Sequence, residues 1–523
     1  MACILADHGH NVTILNYLFV GPIGQLESGC NVTQLDYLLE SDPRENDRLP
    51  SVMRDWAFSP TRTQKVYEAI PTYKIINMRA CRIYETRDAD AHTDAGAHAD
   101  ADDTNSRSQY ASEDTIHRHL IQRLRDSHLD VALIHTFELC ALNLAHMLGA
   151  KVVWTASGTY MLNFMADALD VPLALSYVPD PLTWFTDRMT FVDRIQHSLH
   201  MAVIYWHTYK PSSQLKEQFK LVQKFNSTIK ADYMQQAKRT WPLTLNGVGI
   251  IDFPRPLFHK IQYLGVLDNT GKRGPIRNNF PSDERDRLPE DLQAFIGRFP
   301  KGFILFSFGT QCNTSVMPTA MRESFFRAFH EFAPGYGVVW RVTNIFSLPD
   351  DLANVRQFTW LPQKQLLRHP NISLFITHGG YNSLLESADA GVPILLIPLF
   401  LDQFGNARRA ERLGFARTVE KFNITRQNLV AEIDYLLKCQ SCRARAKRVS
   451  SMIADVAISP AQSLIHIVES AHRHSHQFTR LCVLPSHLNF IQYHCLDVIA
   501  FFALLAAILS YVTVKIAVYA MKL

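Results

Sequence analysis

The residues best suited to chemistry are concentrated between Trp360 and Gln403. Three pieces carry them: Trp360-Leu361-Pro362-Gln363, then His378-Gly379-Gly380-Tyr381-Asn382-Ser383 with Glu386 behind it, then Asp402-Gln403. His378 ends an apolar strand, the two glycines let a ligand approach the backbone, and Asn382 and Ser383 open a helix. A helix N-terminus offers unpaired N–H groups and a partial positive charge, which suits a diphosphate. Glu386 lies on the same helical face as Ser383 and can accept hydrogen bonds from vicinal hydroxyls such as those of a ribose. Trp360 follows a strand and can stack on a flat base. Asp402 and Gln403, in a loop after a further strand, offer an acceptor and a donor–acceptor pair for sugar hydroxyls. Singly, each piece has a plainer reading: Ser-x-x-Glu makes capping boxes, and tryptophans fill cores. The ordered set points to a phosphate ester of a nucleoside.

The flanking elements set these residues in parallel α/β architecture. The stretch Asn11 to Val20 reads as a strand after the tail of a helix ending at Gly9, and the strands Val131 to Ile134 and Val152 to Thr155 bracket a helix from Leu139 to Leu148. A second block begins after Pro254-Arg255-Pro256: strand Gly302 to Phe308, helix Met321 to Phe332, then strands Val338 to Val342, Ile372 to Thr377 and Val392 to Pro398. Strands alternating with helices at this spacing predict a doubly wound sheet. No Gly-x-Gly-x-x-Gly is present, so the ordinary dinucleotide fingerprint is absent.

At 523 residues the chain exceeds a single core, and its 47% hydrophobic and 20% charged content is that of a folded protein. A net charge of +4 over this length gives no reason to expect a nucleic-acid partner. The basic cluster Arg443, Arg445, Lys447 and Arg448 reads as the solvated face of a helix. Residues 88–104 are acidic, rich in Asp, Ala and His, and have almost nothing to bury, so a disordered surface insertion is expected there and not a metal site. Nine cysteines without framework spacing do not describe a disulfide-stapled scaffold, and Cys439 and Cys442 read as two neighbouring thiols on one helix.

The C-terminus carries the one targeting signal. Val498 to Val514 has no charge and, with Lys515 snorkelling, the apolar run extends to Met521, long enough to cross a bilayer with some tilt. Lys515 and Lys522 against Asp497 place the short tail in the cytosol and the bulk of the chain in a lumen. Sequons at Asn11, Asn31, Asn226, Asn313, Asn371 and Asn423 permit glycosylation there, with Asn11 and Asn371, which abut strands, expected to stay unmodified. Met1 to Asp7 is no signal peptide, so the lumenal placement is expected only if a missing N-terminus carries one.

As a set, the segment from Trp360 to Gln403 resembles the signature of the UDP-glycosyltransferases, the GT-B enzymes that include the animal UDP-glucuronosyltransferases and UDP-glucosyltransferases. The resemblance extends to Phe306-Ser307-Phe308-Gly309-Thr310, Ser176-Tyr177-Val178-Pro179, Asp252-Phe253-Pro254-Arg255-Pro256, and Gln492-Tyr493-His494 ahead of the anchor. It implies two Rossmann-like doubly wound domains facing each other across a cleft. Residues 1–255 would bind the acceptor, 256–478 the donor, 479–497 would be juxtamembrane, and 498–521 the anchor of an endoplasmic reticulum protein. It implies that Trp360 stacks on uracil and Gln363 contacts the nucleoside. His378, Asn382, Ser383 and Ser307 would serve the diphosphate, Glu386 the ribose, and Asp402 with Gln403 the transferred sugar. The reaction implied is an inverting, metal-free transfer from a UDP-sugar to a small lipophilic acceptor, with no resident cofactor and the option of a homo-oligomer.

The family's base histidine precedes its Gly-His-x-Val-Thr stretch, here Gly9-His10-Asn11-Val12-Thr13, by more residues than this chain has upstream, so it and the first strand are expected to precede Met1. His8 and His10 read as solvated turn residues. The position of the acidic partner holds His135, either a substituted orienting residue or a plain loop residue, and Glu138 is the nearest carboxylate. The alternative function is a UDP-sugar-binding pseudoenzyme, or a truncated gene model, lacking that base.

Overall fold

The computed structural model describes residues 1–18, 33–38, 122–136, 139–156, 158, 163–169, 171–209, 216, 220, 243–267, 288–310, 312–474, 490–493 and 495–520. The acidic stretch 88–104, Glu138, Asn31 and Asn226 lie outside them. Two units are separated at Ser475 and His476.

The first unit contains the sheets. In its N-terminal part, helix α1 (Ala2–Asp7) and the left-handed Gly9 lead into strand β1 (Thr13–Leu18), which pairs in parallel with β2 (Thr33–Leu38). A four-stranded parallel sheet follows, in the order β3 (Val131–His135), β4 (Lys151–Ala156), β5 (Leu243–Leu245), β6 (Ile261–Tyr263). The expected crossover between β3 and β4 is helix α2 (Leu139–Met147).

The C-terminal sheet has six parallel strands: β7 (Phe303–Ser307), β8 (Gly337–Arg341), β9 (Val355–Phe358), β10 (Ile372–Thr377), β11 (Ile394–Leu396) and β12 (Ala416–Thr418). Their spatial order is β12-β11-β10-β7-β8-β9. The strands expected at Gly302 to Phe308, Val338 to Val342 and Ile372 to Thr377 appear within one residue of those bounds. Both faces are covered. Ile304, Phe306, Leu374, Ile376 and Leu395 face one apolar core, and Phe303, Leu305, Phe375, Ile394 and Leu396 face the other. Covering on both sides explains why these strands are continuous apolar runs and do not alternate with polar residues. On the first face helix α3 (Thr319–His330) supplies Phe325 and Phe329, and Phe306 stacks on Trp340 at 4.7 Å between ring centroids. Each fully buried side chain of this size stabilises the fold by about 2–3 kcal/mol, so this cluster fixes the sheet from which the site projects.

Two departures from the sequence reading concern the helices beyond β12. Helix α7 (Arg426–Lys438) stops where helix α8 (Gln440–Ala454) starts, because Cys439, with φ −72° and ψ 90°, is at once the C-cap of one and the N-cap of the other. Cys439 and Cys442 are therefore not thiols along one helix. The break brings their Cα atoms to 5.3 Å and they are joined in a disulfide. Helix α9 (Pro460–Arg473), opened by a capping box between Ser459 and Gln462, crosses back to pack on β3 and β4. Glu469 of α9 also approaches His10 at 3.7 Å, so that histidine is not simply solvated.

The second unit is dominated by one continuous helix, α10 (Leu496–Ala520), whose described side chains are all exposed. A buried core helix is thereby excluded; by length and composition it is a candidate membrane span.

Candidate nucleotide-sugar site

The C-terminal sheet reverses its winding between β7 and β10. From β7 the chain proceeds outward through β8 and β9, then returns to β10 on the other side and proceeds through β11 and β12. In open α/β sheets the crevice beyond the carboxyl ends of the strands at such a reversal is where ligands bind. Ser307, the last residue of β7, pairs with Thr377, the last of β10, and His378 follows directly.

His378 is buried, with Nδ1 3.1 Å from the Thr377 hydroxyl. Burial lowers its pKa to about 4, so at neutral pH it is an uncharged imidazole. Its ring occupies the space that side chains at two glycines would fill. A Cβ on Gly309 would lie 2.7 Å from Cε1, and one on Gly380 2.6 Å from Nε2. Gly309 has a left-handed φ of +70°, its N–H donates to Ser307 Oγ at 3.2 Å, and its carbonyl accepts from Arg341 Nη1 at 2.7 Å. Arg341, which ends β8 at the same edge of the sheet, was not among the residues singled out from the sequence; its position at a strand's carboxyl end was the available signal.

Helix α5 (Tyr381–Ala390) starts beside His378 with Gly380 as N-cap and no side-chain cap. Its first-turn N–H groups, those of Tyr381, Asn382 and Ser383, are thus not occupied by a capping side chain. Ser383 and Glu386 do not form a capping box. The Glu386 carboxylate instead accepts a 2.7 Å hydrogen bond from Nε2 of Gln363, whose amide also lies 3.4 Å from Ser383 Oγ. Gln363 is the first residue of helix α4 (Gln363–Arg368). Burial raises the Glu386 pKa, while the Gln363 hydrogen bond and the charges of Lys364 and Arg368 oppose the shift. Glu386 opens on a groove also lined by Lys364, Arg368 and Asp389. Trp360 is 71% exposed. A side chain of that size does not stay in solvent for packing, so the core reading falls and a free stacking face remains.

Asp402 lies in a turn, as read, whereas Gln403 is helical. Asp402 is the N-cap of helix α6 (Gln403–Leu413) and Gln403 its first residue. The Gln403 side-chain oxygen accepts from the backbone N–H groups of Leu399 and Phe400, at 2.8 and 3.0 Å, which leaves its NH2 as the group to offer a ligand. Burial raises the Asp402 pKa, opposed by a 2.8 Å hydrogen bond from Asn406 and by the charge of Arg409. Asn406 and Arg409 also went unnoticed in the sequence, although their spacing puts them on one helical face with Asp402. Five segments thus converge at one end of the sheet: the residues after β7, β9 and β10, and the starts of α5 and α6.

His135 stands apart from this cluster, as the last residue of β3 in the N-terminal sheet, where burial lowers its pKa and keeps it neutral.

Parallel α/β sheets in both halves of the first unit, with a crevice at the winding reversal of the six-stranded one, are the architecture of GT-B glycosyltransferases. The fold of LpCGTa, solved in complex with UDP, agrees: the two share 14% identity with a TM-score of 0.52, over 90% of this chain and 94% of that one. Residues 73–523 match the family model described as UDP-glucoronosyl and UDP-glucosyl transferase, and the chain belongs to that family. A Caenorhabditis elegans UDP-glucuronosyltransferase-family protein, ugt-60, is 33% identical over 390 residues, 74% of each chain. A UDP-glucuronosyltransferase of Pleuronectes platessa is 30% identical over 403 residues, 76% of this chain and 80% of that one. Human UDP-glucuronosyltransferase 1A8 is 28% identical over 406 residues, 77% and 72% of the respective chains.

Proposed function

We propose that this protein transfers glucuronic acid or glucose from a UDP-sugar to a hydroxyl of a small lipophilic acceptor, with inversion and without a metal ion. The observation that carries this reading is the Gln363–Glu386 hydrogen bond beside the exposed Trp360. An exposed aromatic plane, an amide and a carboxylate in sequence match a uracil base, its ribose and the vicinal hydroxyls. Beyond them, neutral His378, Ser307 and the uncapped N–H groups of Asn382 and Ser383 suit the diphosphate, whose charge they stabilise by hydrogen bonding and helix dipole. Asp402 and the Gln403 NH2 then meet the sugar hydroxyls. Residues 256–478 form the donor domain in this reading and 1–255 the acceptor domain. His135, at the position of the family's orienting acid, and Glu138, the nearest carboxylate, are the candidate catalytic residues on the acceptor side. Residues 479–497 lead to an anchor at 498–521, which holds the enzyme to the endoplasmic reticulum membrane, with its catalytic domains lumenal where a signal peptide precedes them.

Calorimetric titration of the full chain with UDP in EDTA tests the donor assignment, and transfer from UDP-glucuronic acid or UDP-glucose to a panel of lipophilic phenols tests the reaction. Heat that appears only with a divalent cation, or no transfer from either donor, refutes the reading.

A further inference from the structure

A chain of buried polar contacts leads from the sugar residues into the N-terminal half of the molecule. The Asn406 NH2 donates to Asp402 Oδ2 at 2.8 Å and to the Gly379 carbonyl at 3.0 Å. Arg409 Nη1 donates to Asn406 Oδ1 at 3.0 Å, and Arg409 Nε donates to Asp252 Oδ1 at 3.0 Å. Asp252 also accepts from the Phe253 N–H, from Arg255 and, on its other oxygen, from the Tyr263 hydroxyl at 2.9 Å. Arg412 donates to the Asp252 carbonyl at 2.9 Å.

Asn406, Arg409 and Asp252 are 0%, 0% and 3% exposed. Taking two charges this far out of water costs several kcal/mol each, and a buried ion pair is weak evidence of stability as such. What this one secures is orientation. With its oxygen engaged by Arg409, the Asn406 amide cannot flip, and its NH2 is committed to Asp402 and Gly379.

We propose that Asp252 and Arg409 are a positioning pair for the donor sugar: Asp252 anchors Arg409, Arg409 fixes the Asn406 amide, and Asn406 holds the Asp402 carboxylate in the rotamer that meets the sugar hydroxyls. This rests on the assignment of Asp402 to the sugar. The pair's hydrogen bonds run to Asn406 and to the segment around Asp252, and none goes to Trp360, Gln363 or Glu386. Its loss is therefore read in the sugar and not in the UDP moiety.

The test is calorimetric titration of the full-length chain in detergent with UDP, UDP-glucose and UDP-glucuronic acid. In Arg409→Lys, which keeps the charge but cannot reach Asp252 and Asn406 together, UDP affinity stays within about twofold of wild type. The ratio of UDP-sugar to UDP dissociation constants rises about tenfold, the loss expected for one charge-assisted hydrogen bond. Tyr263→Phe, which removes one bond to Asp252 from a separate element, shifts the same ratio in the same direction by about two- to threefold, and it carries the test if Arg409→Lys lacks a cooperative melting transition. Equal losses for UDP and UDP-sugar, or no change, overturn the pair's role. A wild-type chain that binds UDP but neither UDP-sugar overturns the assignment of Asp402, and the proposal with it.

Discussion

The Gln363 side-chain nitrogen lies 2.7 Å from a Glu386 carboxylate oxygen, and so ties the first residue of one short helix to the middle of the next. The bond fixes the carboxylate's direction while its second oxygen remains available to a ligand.

Glu386→Gln should separate stability from binding. Burial raises the Glu386 pKa above its unfolded value, so the fold favours the protonated form. That contribution is present at low pH and is lost as pH rises through the raised folded pKa; at neutral pH the ionised side chain costs stability. The amide should therefore melt no lower than wild type at neutral pH, yet bind UDP more weakly by about 1–3 kcal/mol, because a charged acceptor is gone. Wild-type UDP affinity should also fall on acidification more steeply than that of the variant. Calorimetry and thermal melts at pH 5 and 7.5 would expose an error here as parallel losses of stability and affinity.

Gly380→Ala should act through its neighbour. The added Cβ would lie 2.6 Å from His378 Nε2, whereas Gly380 has an ordinary φ of −56°, so the backbone is not strained and the imidazole must move. UDP binding should weaken by about 1–3 kcal/mol, as in His378→Ala, and the double variant should be no worse than His378→Ala alone. Additive losses in a double-mutant cycle would show that Gly380 does something other than shape the imidazole's place.

Trp360→Ala should cost binding and not folding. An indole that is 71% exposed contributes little to the core, so stability should change by no more than about 0.5 kcal/mol. Stacking on a base is worth about 1–3 kcal/mol, and Trp360→Phe should keep part of it. Unchanged UDP affinity in the alanine variant would remove Trp360 from the site.

Replacing both Cys439 and Cys442 by serine should lower stability by about 2 kcal/mol at most, since so short a loop closes little chain entropy. UDP affinity should not change, because the disulfide joins the α7–α8 break and touches no donor-site residue. Urea titration beside calorimetry checks both parts; a loss of UDP binding would contradict the site's boundaries.

Legibility in the sequence followed the range of the interactions. Strand β10 appears at Ile372–Thr377 as read, because a strand buried on both faces writes itself as an unbroken apolar run. The donor residues were legible for a related reason: His378, Asn382, Ser383 and Glu386 act from one strand end and one helix start, both local signals. What escaped depends on distant partners. Gln363 meets Glu386 across 23 positions and Arg409 meets Asp252 across 157, and no periodicity announces either pair. Strand β12 is three residues long with one buried apolar side chain, too little to show a pattern. The helix break at Cys439 has neither glycine nor proline to mark it, so the disulfide was read as two thiols. Placing Gln403 in a loop hid Asn406 and Arg409, whose common face with Asp402 becomes visible only once α6 is known to begin at Gln403.

The Asp252–Arg409 contact also limits how such a chain can be recombined. A crossover near residue 256 that grafts a foreign acceptor half onto this donor half divides the pair between parents. Unless the incoming half supplies a carboxylate in place of Asp252, Arg409 enters the chimaera as a buried cation without a counter-charge, a defect of about 3–5 kcal/mol. Hybrids that inherit both residues from one parent should therefore predominate among those that accumulate in cells, and a library of crossovers would show a forbidden interval running the 157 positions from Asp252 to Arg409 wherever the incoming sequence lacks the acid.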